Sequence, residues 1–232
     1  MEKLPLFLSI FFVFITFLTV YFFWKAAGHS KKILLIIATW LVLQTILGLQ
    51  GFYLVTDTIP PRLVLMIAPV AIAITLLFIT STGRKFIDGL DIKYLTLLSI
   101  VRIPVELILF WLFTYKAIPE IMTFEGRNLD IISGLTAPLI YYFGFIKHKL
   151  SWKFILFWNF LCLGFLLNVV VYGILSAPSV IQKFSFDQPN IAILYFPFVW
   201  LPACVVALAL FSHLVSIRQL LKSRTADTYQ LV

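Results

Sequence analysis

Charge is what this chain lacks. Charged residues fill 12% of its 232 positions, about half the roughly 25% found in soluble domains. Hydrophobic residues make up 62%, more apolar bulk than a water-soluble fold of this length can cover, so the expected solvent is a bilayer. Cysteine is nearly absent. Cys162 and Cys204 both fall inside apolar stretches, which argues against a disulfide framework and leaves two small packing residues. Histidine is limited to His29, His148 and His213, with no His-Glu-x-x-His pattern. They read as scattered surface residues, and neither a metal nor another cofactor is expected. A Gly-x-Ser-x-Gly elbow and a Gly-rich phosphate loop are missing as well. No Lys lies between Asp187 and Arg218 to hold a retinal in the last span.

What is present is a series of uncharged runs: residues 5–24, 33–56, 63–83, 131–146, 154–182 and 188–217. A further run, 94–115, is interrupted only by Arg102 and Glu106. About 20 apolar residues cross the hydrocarbon core as a helix, and no alternating barrel pattern competes. Only 131–146 is short. The first run is followed by Ala26-Ala27-Gly28, which has the look of a cleavage site. The run is too long for a signal peptide, and Lys25, Lys31 and Lys32 surround that site, so a retained first helix is expected.

The connections alternate in positive charge. One set holds Lys25, Lys31, Lys32, Arg84, Lys85, Lys93, Lys147, Lys149, Lys153, Arg218, Lys222 and Arg224; the other holds Lys3, Arg62, Lys116, Arg127 and Lys183. Lys and Arg gather on the cytoplasmic side. The predicted fold class is therefore an all-α membrane protein, a seven-transmembrane-helix bundle with its N-terminus outside and its C-terminus cytoplasmic. A single domain, 1–222, would have spans near 5–24, 33–54, 61–82, 94–116, 130–147, 154–176 and 191–216, followed by a frayed cytoplasmic tail, 223–232. The expected partners are the bilayer and the anionic lipid of its inner leaflet, which accounts for the formal charge of +8 without nucleic acid.

Polar work inside the membrane centres on the fourth span. Ser99, Arg102 and Glu106 share one helix face, and charges at that depth are expected to face the bundle and to be paired. Pro104 lacks the amide that would bond the Ile100 carbonyl. The group reads either as an Arg–Glu pair that fixes packing or as a site for a small molecule, an ion or a proton. Gln44, Gly48 and Gly51 on the second span, and Asp130, Ser133, Gly134 and Ala137 on the fifth, form stripes that are candidates to join it. Asn159 and Asn168 are about half a turn out of phase, so at most one of them faces any one pocket.

A second candidate group, Glu120, Glu125, Arg127 and Asn128, lies in the outer connection, where Asp57 and Arg62 are neighbours. Gly126 is expected to supply an unusual φ, and Asn128 or Asp130 to cap the next helix. The run from Arg102-Ile103-Pro104-Val105-Glu106 through Pro119-Glu120 and Glu125-Gly126-Arg127-Asn128 to Gly134-Leu135-Thr136-Ala137-Pro138 resembles a group of uncharacterised bacterial seven-helix membrane proteins. The resemblance implies a bacterial inner-membrane location and no particular activity. Three functions stay open: binding or passing a small molecule or ion, an intramembrane enzyme acting on a lipid or isoprenoid through the acidic residues, and an accessory subunit of a membrane complex.

Overall fold

In the computed structural model, residues 4–229 are described, with side chains through Lys222. Lys3, the Arg224 side chain and the end of the expected tail, 230–232, lie outside them. The described chain is helical and contains no strand. The helices are α1 (Leu6–Ala26), α2 (Lys31–Leu49), α3 (Val64–Ile79), α4 (Ser81–Asp88), α5 (Ile92–Leu98), α6 (Arg102–Thr114), α7 (Ile131–Leu139), α8 (Trp152–Leu175) and α9 (Val206–Tyr229). A 3-10 turn, Ser99–Val101, joins α5 to α6, so that Ile92–Thr114 runs as one span. Wide π-type turns continue α7 through Ile140–Ile146 and lead into α9 at Leu201–Val205.

Five helices are long and apolar enough to cross a membrane, or six if the bent pair α3–α4 counts as one span; Ile131–Ile146 is shorter. Caps set several starts. Ser30, Thr80, Asp91 and Ser151 each accept an amide hydrogen bond at the head of α2, α4, α5 and α8, satisfying donors that have no partner within the helix.

Two expected spans differ in shape. The third, expected near 61–82, ends as α3 at Ile79, where the chain bends by 92° into α4. Thr80 is extended there (φ −84°, ψ 147°), and its hydroxyl accepts from the Gly83 amide at 3.1 Å. The 16 residues of α3 reach about 24 Å, short of a hydrocarbon core of about 30 Å. The seventh, expected near 191–216, becomes a continuous helix only at Leu201, after a short 3-10 turn at Ala192–Leu194. Pro197 and Pro202 both lack an amide donor, which keeps the preceding segment irregular. That segment is buried nonetheless: the Phe198 ring packs tilted against Phe12 of α1, centroids 5.2 Å apart, and Trp200 Nε1 donates to the Leu41 carbonyl of α2 at 3.1 Å. In return, Trp40 Nε1 donates to the Ala203 carbonyl at 2.9 Å. The tail expected to fray from 223 continues α9 as far as Tyr229.

The centre of the bundle is the α5–α6 span and α9. Each has 61% of its apolar window buried, against 22% for α2, which therefore lies at the periphery of the bundle. Around the two central spans, α1 packs on α5 and α6, α8 on α9, and α7 on the Ser99–Val101 turn and α6. Gly134 makes the last contact possible, because a Cβ there would lie 3.0 Å from the Ile103 amide nitrogen. The basic connections meet at one end. The Asp91 amide donates to the Ala26 carbonyl at 2.9 Å, and Gln219 Nε2 donates to the carbonyls of Ile87 and Leu90 at 2.7 and 2.9 Å. There Asp88 holds Arg218 at 2.9 Å and Lys222 at 2.7 Å, and hydrogen bonds from these two cations hold its carboxyl below the usual carboxylate range.

A depressed pKa makes Asp88 stabilising above the carboxylate pKa of the unfolded chain, and this contribution is lost as pH falls through the lower folded value. Asp88→Asn should cost about 1 kcal/mol, the upper range for a partly exposed ion pair. The gap from wild type in thermal unfolding should hold at neutral pH and close as pH is taken below about 4.

Candidate functional site

The polar group on the α5–α6 span is buried as its spacing predicts. Relative exposure is 1% at Ser99, 3% at Arg102 and 1% at Glu106. The chain leaves α geometry at Ser99–Val101, just before Pro104, the position whose missing amide would have bonded Ile100. Pairing, however, crosses to the next span. Arg102 Nη1 forms its ion pair with Asp130 Oδ1, which also accepts from the Ser133 hydroxyl at 3.2 Å. Glu106 is held by Asn128, whose Nδ2 donates to Glu106 Oε1 at 2.6 Å and to the Met122 carbonyl at 3.0 Å. Asn128 Oδ1 accepts from the Asp130 amide at 3.0 Å. That bond rigidifies the approach to α7, whereas neither Asn128 nor Asp130 caps a free amide within the helix.

Satisfaction is incomplete on one side. Arg102 Nε and Nη2, Glu106 Oε2 and Asn190 Oδ1 are buried without a hydrogen-bond partner among the described residues. Glu106 has no ion-pair partner among them either. One guanidinium is thus set against two carboxylates. Buried polar groups are ordinarily paired, so each orphan asks for an occupant.

A cavity of about 140 Å³ lies against this group, between α3, α6, α8 and α9. Its wall is almost wholly aliphatic, and its polar lining consists of Glu106, Asp130 and Asn190. It reaches the side of the bundle at Ala71 of α3 and Leu167 of α8, both exposed. An opening there would face acyl chains rather than water.

The other sequence candidates lie apart from it. Gln44 is buried but accepts from the Tyr53 hydroxyl at 2.6 Å, and Gly48 backs onto Val199, so the α2 stripe packs against the irregular segment before α9. Glu125 is exposed, and Glu120 and Arg127 line a separate polar pocket at the outer end with Asp187 and Gln188. Arg127 Nη1 donates to the Tyr172 hydroxyl at 3.1 Å. Arg62 turns to the Phe52 carbonyl at 3.0 Å and to the Phe52 ring, away from this pocket. Gly126 is required for a reason other than φ: a Cβ would collide with the Glu120 carbonyl and sit 2.8 Å from the Ile121 Cα.

Three features escaped sequence reasoning. Asn190, in the long outer connection, is fully buried, with Nδ2 donating to the Gly173 carbonyl at 3.0 Å. His213 is not a surface residue; it is 2% exposed and meets Asn159 Oδ1 through Nδ1 at 2.9 Å. Because Asn159 Nδ2 donates to the Ile155 carbonyl at 2.9 Å, its Oδ1 is the acceptor and His213 Nδ1 the donor. Asn168 faces elsewhere and donates to the Arg127 carbonyl at 2.7 Å, which agrees with the half-turn between the two asparagines. The third is the sideways cavity itself. Among the described residues no cluster of metal-ligating side chains is present. No protein-family model matches the chain, and no curated protein or solved structure matches it.

Breaking the ion pair from one side leaves a buried charge alone, so Asp130→Asn should destabilise by about 3–5 kcal/mol. The double change Arg102→Met with Asp130→Leu should unfold closer to wild type than Asp130→Asn does, since a buried pair contributes little net stability over apolar replacements. Denaturant unfolding of purified protein in micelles measures both.

Proposed function

We propose that this chain is a seven-crossing integral membrane protein of the bacterial inner membrane, with its N-terminus outside, that binds a small molecule in the cavity beside Glu106. The seven-crossing count takes α3 and Ile131–Ile146 as spans despite their length; short spans are accommodated by local thinning and by snorkelling of flanking Lys and Arg. Orientation rests on the Lys and Arg surplus in the connections that meet near Asp88. Inner-leaflet anionic lipid is the partner suited to that end.

The observation that carries the binding reading is an aliphatic cavity lined by the buried polar residues Glu106, Asp130 and Asn190, two of which keep an oxygen without a hydrogen-bond partner among the described residues. A solidly packed accessory subunit has no need of such a cavity. Catalysis on a lipid finds less support, because Glu120 and Glu125 do not converge on the cavity and Asp130 is engaged by Arg102 and Ser133. Arg102 thereby acts as a positioning residue: it fixes Asp130 at the start of α7, and the Asp130 amide in turn holds the loop residue Asn128 that orients Glu106.

For topology, cysteines placed at Glu125 and at His148 should react with a membrane-impermeant maleimide from opposite sides of intact cells, Glu125→Cys from outside. Labelling of both from one side removes the seven-crossing arrangement. For binding, native mass spectrometry of the purified chain should show a retained small molecule. Ala71→Trp, a change at an exposed position, should reduce its occupancy about tenfold, a difference of roughly 1.4 kcal/mol. A wild-type protein that carries nothing, and that added apolar probes fail to stabilise, would sink the reading.

A further inference from the structure

We propose that the cavity beside Glu106 has a second mouth, toward outer water, closed by the Met122 side chain, and that the chain passes a small apolar molecule between that water and the bilayer interior. The inference rests on the binding reading and the orientation above and adds the route.

Two pockets share one wall. The outer pocket, about 480 Å³, is lined by Glu120, Ile121, Arg127, Asp187 and Gln188 among others. Glu120, Arg127 and Asp187 are exposed, and charges of both signs keep such a pocket hydrated. Ile121 lines this pocket, whereas Met122, the next residue, lines the cavity; Gln188 lines the pocket and Asn190 the cavity. Consecutive Cα atoms lie about 3.8 Å apart, so at Ile121–Met122 a single thickness of backbone separates water from the apolar chamber.

Most of that partition is tied down. Gln188 Nε2 donates to the carbonyls of Phe113 and Ile118 at 3.1 and 2.6 Å, and Asn190 Nδ2 donates to the Gly173 carbonyl at 3.0 Å. The Met122 backbone is held too: its amide donates to the Pro119 carbonyl at 3.2 Å, and its carbonyl accepts from Asn128 Nδ2 at 3.0 Å. The Met122 side chain is held by packing alone. Its terminal methyl is seated on Gly173, where a Cβ would come within 3.1 Å of it. Met122 is 4% exposed, so in this position it fills the gap. An unbranched thioether turns freely about its bonds, and it can leave Gly173 without breaking a backbone hydrogen bond. The cavity's other mouth, at Ala71 and Leu167, faces acyl chains. With Met122 swung aside, one chamber joins lipid to water. A chamber near 150 Å³ accommodates benzene, and this one measures about 140 Å³ with an aliphatic wall, which sets the size and character of what passes.

A membrane-impermeant thiol reagent cannot use the lipid-facing mouth, so its reaction inside the cavity reads the outer route. Val169 lines the cavity one turn before Gly173 on α8 and is 8% exposed. In intact cells treated with trimethylammonium-ethyl methanethiosulfonate, Val169→Cys should react at least about tenfold more slowly than the exposed Glu125→Cys, as for a gate open in about 0.1–10% of molecules. Adding Met122→Ala should raise the Val169→Cys rate about tenfold and leave the Glu125→Cys rate unchanged. Wild-type protein, with only Cys162 and Cys204, supplies the background. If Met122→Ala does not fold, Met122→Val, which shortens the side chain less, should move the rate in the same direction. Val169→Cys reacting as fast as Glu125→Cys overturns the gate, as does an unchanged Val169→Cys rate in a folded Met122 variant. In that case a small molecule retained by the wild-type chain in native mass spectrometry leaves the binding reading standing. A wild-type chain that binds nothing removes the passage along with the binding, whatever the labelling.

Discussion

A guanidinium in the middle of an apolar span costs at least about 2.5–3.5 kcal/mol on insertion scales if nothing answers it. Here Asp130 answers it from the start of α7, and much of the local architecture follows. The pair draws α7 against the Ser99–Val101 turn, close enough that Gly134 has no room for a side chain. It fixes the loop residue Asn128, and Asn128 in turn holds one oxygen of Glu106 and leaves the other open. The neutralised Arg–Asp pair and the half-satisfied Glu are thus parts of one arrangement: one holds helices together and the other gives the cavity its polar wall.

The amino-acid order made the helical class legible because apolar runs bounded by charge leave few alternatives in lipid. It also placed Arg102 and Glu106 inside, since three-and-four spacing in a long apolar segment puts them on one buried face. Partner choice was not legible. A neighbour four residues away suggests itself in one dimension, but Glu106 gives way to Asp130, 28 residues on, because α7 packs on that face. Asn190 and His213 carried no periodic signal, as each takes its meaning from a carbonyl or an amide on another helix. Gln44 had the right polarity for the site, but a tyrosine nine residues away claims it.

Proline explains where regularity fails. Pro104 follows the 3-10 turn, and Pro197 and Pro202 flank the irregular stretch that precedes α9. Non-helical backbone at membrane depth survives only where protein covers it, and two reciprocal indole bonds, from Trp40 and Trp200, do part of that covering. The peripheral α2 contributes little to the core, yet it supplies both of its partners in this exchange. The bend at Thr80 is of another kind: a threonine cap turns the end of a span into a helix that meets α9 near Asp88.

The 28 residues between Arg102 and Asp130 also set an order of events during synthesis. At about 5–20 residues per second, the arginine leaves the ribosome some seconds ahead of Asp130, its ion-pair partner among the described residues. Through that interval α6 is a poor candidate to settle in lipid alone. A hairpin of α6 and α7 is the smallest unit that would bring the charge to lipid already paired, and its loop carries the asparagine that holds the second acid.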